Sequence, residues 1–152
     1  MEEHSVETEV QDLVYSIAAS PNFPEDGVCF AARQSGLYRS EDAGATWIPA
    51  YDSLNLETAL PTLAVAISPN FASDRRVFAG VAGGVMRSVD GGRTWNAVLL
   101  PEPPPIVSAL AVSPDYATDR TILASIVGTG IFKSTDGGKT WKKVLYINEN
   151  TG

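Results

Sequence analysis

The chain has 152 residues, a length that fits one globular domain, and its 44% hydrophobic and 19% charged residues describe an ordinary packed core. A formal net charge of -7 without any run of Lys or Arg argues against nucleic acid or an anionic membrane surface as a partner. The single cysteine, Cys29, excludes an internal disulfide, and within Val28-Cys29-Phe30 it reads as a small buried hydrophobe rather than a reactive thiol.

Residues 1–11 read as an N-terminal tail. Met1-Glu2-Glu3-His4-Ser5 has neither the basic region nor the apolar stretch of a signal peptide, and no run of eighteen apolar residues follows, so the sequence reads as soluble and assigns no compartment. Ser5 to Val10 alternates weakly, as a frayed tail does or as an outer strand lent to another sheet. His4, the one histidine, lies here and supports neither a general base nor a metal site.

From residue 12 the chain repeats itself. The first unit, 12–51, carries Ser20-Pro21-Asn22-Phe23 with Asp26, then Ser40-Glu41-Asp42-Ala43-Gly44-Ala45-Thr46-Trp47. A connection over 52–60 leads to the second unit, 61–100, with Ser68-Pro69-Asn70-Phe71, Asp74 and Ser88-Val89-Asp90-Gly91-Gly92-Arg93-Thr94-Trp95. Residues 101–106 hold Pro101-Glu102-Pro103-Pro104-Pro105, which reads as a stiff spacer rather than a polyproline ligand. The third unit, 107–147, has Ser113-Pro114-Asp115-Tyr116, Asp119 and Ser134-Thr135-Asp136-Gly137-Gly138-Lys139-Thr140-Trp141, and 148–152 form a C-terminal tail. Trp47, Trp95 and Trp141 recur 48 and 46 residues apart, a period that suits one four-stranded propeller blade.

Within the second unit, Thr62 to Ser68, Arg76 to Val81, Gly84 to Ser88 and Thr94 to Leu99 are β-rich and turn-bounded. Leu63-Ala64-Val65-Ala66-Ile67 is apolar on both faces, which predicts the innermost strand. Helical periodicity never lasts three turns. The expected fold class is therefore all-β: three four-stranded antiparallel blades of a β-propeller.

The shared pattern S-x-D-x-G-x-T-W suits a strand-turn-strand. Asp42, Asp90 and Asp136 accept from turn N–H groups, Gly44, Gly92 and Gly138 permit positive φ, and Ser40, Ser88, Ser134, Thr46, Thr94 and Thr140 close local bonds. Each tryptophan follows its turn and is expected to cover its own hairpin. The Asp-Gly-Gly stretches lack the alternating carboxylates and distant Glu of a calcium loop, and the glycine-rich stretches lack the helix and Lys of a phosphate cradle. No metal or cofactor is expected.

These boxes resemble the bacterial neuraminidase repeat, or Asp box, of sialidases, xyloglucan-cleaving glycosidases, sortilin-type receptors and a photosystem II assembly factor. The resemblance implies a propeller and leaves function open, because enzymes, receptors and assembly factors all carry the motif. For a sialidase it implies an Arg-Ile-Pro signature and a convergent arginine triad. Arg-Ile-Pro is absent, and Arg39, Arg87 and Lys133 sit at equivalent repeat positions that read as solvated strand sites. For a glycosidase two facing carboxylates are required, most of them from loops that break the repeat; most acids lie inside the repeat, which leaves Asp52, Glu57 and Glu102 as the irregular candidates.

Propellers ordinarily close with four to eight blades, so three leave apolar end faces. The sequence predicts closure by a homodimer of six blades or by flanking blades of a longer chain. The leading expectation for function is a non-catalytic scaffold or protein-binding module, with the irregular loops Gln34, Ser35, Asn55, Glu57 and Pro103 contacting a protein or glycan ligand. The alternative is a piece of a carbohydrate-active propeller whose catalytic residues lie elsewhere.

Overall fold

The computed structural model describes residues 12–101 and 105–146. Each repeat folds as an antiparallel meander. The first sheet runs β1 (Val14–Ala19), β2 (Cys29–Arg33), β3 (Gly36–Ser40) and β4 (Ile48–Pro49). The second runs β5 (Thr62–Ile67), β6 (Val77–Val81), β7 (Gly84–Ser88) and β8 (Asn96–Leu99), and the third β9 (Val107–Val112), β10 (Ile122–Ile126), β11 (Gly130–Ser134) and β12 (Lys142–Tyr146). The first strands β1, β5 and β9 lie side by side, the inner position expected for the segment that is apolar on both faces.

Between the first and second strands of every blade sits a one-turn helix: α1 (Phe23–Asp26), α2 (Phe71–Asp74) and α3 (Tyr116–Asp119). The Ser-Pro-Asn/Asp motif builds it. The Ser20 hydroxyl accepts from the Asn22 N–H at 2.9 Å and donates to Asp26 Oδ2 at 2.7 Å, while Asp26 Oδ1 takes the Val28 N–H at 2.9 Å. Ser68 and Asp74 repeat the arrangement, as do Ser113 and Asp119. Similar local bonds explain why the fourth strand of blade 2 starts at Asn96 and not at the expected Thr94, whose N–H and hydroxyl are both held in the turn by Asp90.

The core lies between blades. One cluster fills the first joint, with Phe30 and Leu37 of blade 1 against Val65, Val77, Met86 and Trp95 of blade 2. A second fills the next joint, with Phe78 and Val85 against Ile122, Ala124 and Phe132 and with Trp141 packed alongside. Burying an aromatic or branched side chain here contributes roughly 1.5–3 kcal/mol, so stacking, and not any single sheet, stabilises the array.

Two expectations need correction. The Trp95 ring does not stop at its own hairpin: it meets the preceding blade edge-on, 6.4 Å from Phe30 and 5.7 Å from Tyr51. Nor is Arg39 a solvated strand site. It is buried and donates from Nε to the Gly91 carbonyl of the next blade's box at 2.8 Å, with Glu41 neutralising its charge. Arg87 repeats that bond to the Gly137 carbonyl at 3.1 Å, while Lys133, which meets no further blade among the described residues, is exposed. The physical reason is that the alternation places these cations on the face turned toward the next blade, where a carbonyl of the glycine turn needs a donor.

Candidate functional site

Each Asp box is closed by its own hydrogen bonds. Ser40 donates to Asp42 at 2.8 Å and accepts from the Gly44 N–H at 2.9 Å; Asp42 takes the Thr46 N–H at 2.9 Å and hydroxyl at 2.6 Å. Trp47 Nε1 donates to the Gly44 carbonyl at 3.0 Å. The same set recurs through Ser88, Asp90, Gly92, Thr94 and Trp95, and through Ser134, Asp136, Gly138, Thr140 and Trp141. Both oxygens of each carboxylate are therefore engaged in the turn.

These bonds favour the ionised carboxylates. The Thr46 hydroxyl and N–H, with Ser40, hold Asp42 down to about 2. Burial works to raise Asp90, but Thr94, Ser88 and the Arg93 N–H outweigh it and bring it to about 2. Asp136 is held well below the usual carboxylate range, chiefly by Thr140. Such groups are poor general acids at neutral pH. Among the described residues, no group of three or more His, Cys, Asp or Glu is placed to hold a metal ion.

A cavity of about 430 Å³ opens at the other end of the strands. It lies between the β2–β3 hairpin of blade 1 and the connection that follows Tyr51, and Ser35, Tyr38, Tyr51, Asp52, Asn55 and Glu57 line it. Tyr51 forms a fixed wall. Its ring packs edge-on against Trp95, its hydroxyl lies 3.0 Å from the Thr62 hydroxyl, and burial pushes its own ionisation up. On the opposite wall the Ser35 hydroxyl donates to Asp12 at 2.9 Å and sits 2.8 Å from the Tyr38 hydroxyl. Arg33 pairs with Asp12 and places its guanidinium 4.7 Å from the Tyr38 ring centre. The floor of the connection is a 3-10 turn, Asp52–Leu54, ended by Asn55 in the left-handed conformation at φ 52.

Of the loop residues singled out from sequence, Ser35, Asn55 and Glu57 meet in this cleft. Gln34 does not line it and instead accepts a 2.6 Å hydrogen bond from the Tyr15 hydroxyl. Pro103 and Glu102 lie outside the described residues, as do His4 and both predicted tails. Sequence reasoning missed Tyr38 and Tyr51. Both lie inside the repeat pattern, which masked the one signal they carry, that each is an aromatic residue next to an irregular loop.

Residues 132–143 match the model of the BNR/Asp-box repeat. Among solved structures, an ancestral GH74 enzyme superimposes on 87% of this chain and 18% of its own length, with 24% identity and a TM-score of 0.67. A GH74 enzyme of Niastella koreensis covers 87% and 21%, with 20% identity and a TM-score of 0.63. YCF48 bound to D1 peptide covers 87% and 40%, with 16% identity and a TM-score of 0.63. No curated protein matches the sequence. The chain thus spans about a fifth of the GH74 enzymes and two-fifths of YCF48. At these identities the likeness is one of fold, and with the three bonded boxes it defines the class: blades of an Asp-box β-propeller.

Proposed function

We propose that this chain is a non-catalytic propeller module that holds a segment of another protein in the cleft between the β2–β3 hairpin and the 52–60 connection. The observation that carries the reading is that cleft itself, in which rigid tyrosines and the unpartnered carboxylates Asp52 and Glu57 share one opening of peptide size. Its chemistry favours a segment bearing a Lys or Arg beside an apolar residue, the cation toward Asp52 and Glu57 and the apolar group toward Tyr38 and Leu56. The likeness to YCF48, solved with a D1 peptide, supports a propeller of this kind as a peptide holder.

A second reading, a piece of a carbohydrate-active propeller, is favoured by one feature of the same cleft: two carboxylates, Asp52 and Glu57, line it together. One experiment separates the two. Peptides are selected against the protein from a displayed library and titrated calorimetrically, in parallel with release of reducing sugar from glucan and xyloglucan oligosaccharides. The protein-binding reading predicts basic-apolar peptides whose affinity falls at least tenfold, about 1.4 kcal/mol, in Asp52→Lys/Glu57→Lys, with circular dichroism unchanged. Sugar release that disappears in Asp52→Asn or Glu57→Gln would establish the second reading instead, and peptides indifferent to the Lys substitutions would remove the first.

A further inference from the structure

The two joints inside the chain are templates for what its two outer faces accept. At the first joint Phe30, fully buried on the forward face of blade 1, meets Val65 and Trp95 on the backward face of blade 2. Strand register identifies the equivalents at the ends. Ile17 pairs with Ala31 as Val65 pairs with Ala79, yet Ile17 is 70% exposed and Val65 only 6%. Trp47 is 38% exposed where Trp95 is 4%. At the other end Leu123 pairs with Lys133 as Phe30 pairs with Arg39 and Phe78 with Arg87, and Leu123 is 39% exposed where both phenylalanines are fully buried.

We propose that these faces bind each other between two copies of this chain, the third blade of each docking on the first blade of the other to close one six-bladed ring. The inference is independent of the cleft. Its support is complementarity at equivalent positions. Leu123 supplies the apolar side chain that Trp47 lacks, as Phe30 does for Trp95. The Lys133 ammonium supplies a donor for the Ala43 carbonyl, as Arg39 does for Gly91 and Arg87 for Gly137. Space is reserved for the incoming blade as well. A Cβ added at Gly92 would lie 2.4 Å from Phe30 Cζ, whereas one at Gly44 would meet only the chain's own Trp47, at 3.7 Å. Blade number selects the stoichiometry. Two copies of the three described blades make six, within the range of about four to eight with which propellers close.

The test is light scattering after size exclusion on the intact chain, over a concentration series. The ring predicts twice the 16.1 kDa of one chain. Ile17→Glu and Leu123→Glu change residues already exposed in the single chain, so each should keep its circular dichroism while raising the dimer dissociation constant at least tenfold; Lys133→Arg should leave the dimer intact. A single-chain mass at every concentration, a three-chain mass or an open-ended series would each overturn the proposal. So would a two-chain species indifferent to both Glu substitutions.

Discussion

Ala43 occupies the left-handed region at φ 63, at the turn position where the other boxes place Gly91 and Gly137 at φ 82 and 78. A side chain there costs about 1–2 kcal/mol against glycine, while glycine's extra freedom in the unfolded chain offsets about half of that. Ala43→Gly is therefore expected to stabilise the protein by about 0.5–1 kcal/mol and to raise Tm by about 1–4 °C. Thermal unfolding followed by circular dichroism measures it, and a lowered Tm would show that the Ala43 methyl makes contacts that outweigh the strain. The boxes are thus not equivalent in quality, and the first is the one a single substitution improves.

At the scale of the element, each Asp box is an electrostatic clasp between the third and fourth strands. A carboxylate whose folded pKa lies below its unfolded value releases its proton more readily when folded, so the unfolded chain binds more protons as pH falls. Asp42 and Asp90, both held to about 2, therefore contribute stability that is complete above about pH 4 and is lost as pH drops toward 2. Urea midpoints should fall over that window, and Asp90→Asn should start lower at neutral pH, because its amide donates where the Thr94 hydroxyl also donates, and should fall less, because the amide does not titrate. A variant with the wild-type pH profile would contradict the clasp. This part of the fold was legible in the sequence because its bonds are local: Ser40, Asp42, Gly44 and Thr46 satisfy one another within seven positions. What Arg39 touches was not legible, because the Gly91 carbonyl is 52 positions away and only blade stacking brings it near. The cleft falls between these cases. Ser35, Asn55 and Glu57 stood out as irregular loop residues, whereas Gln34 turned aside to Tyr15, and Tyr38 and Tyr51 were hidden inside the repeat pattern.

At the scale of the molecule, the antiparallel meander separates two tasks. The boxes and one-turn helices occupy one end of the strands, where Asp26, Asp74 and Asp119 and the box residues Asp42, Asp90 and Asp136 are bonded to their own turns, and the cleft occupies the other. Stacking holds the two ends in register, because the second and third boxes send Trp95 and Trp141 back onto the preceding blade while Arg39 and Arg87 reach forward onto the next box. That reciprocal joint is the claim on which the rest depends. A double-mutant cycle across it, Phe30→Leu with Trp95→Leu, measured by urea unfolding, tests it most directly. The joint predicts that the two losses are non-additive by about 0.5–1.5 kcal/mol, the coupling of an edge-to-face aromatic pair. Strict additivity would mean that these rings do not meet and that the blades are not stacked as described.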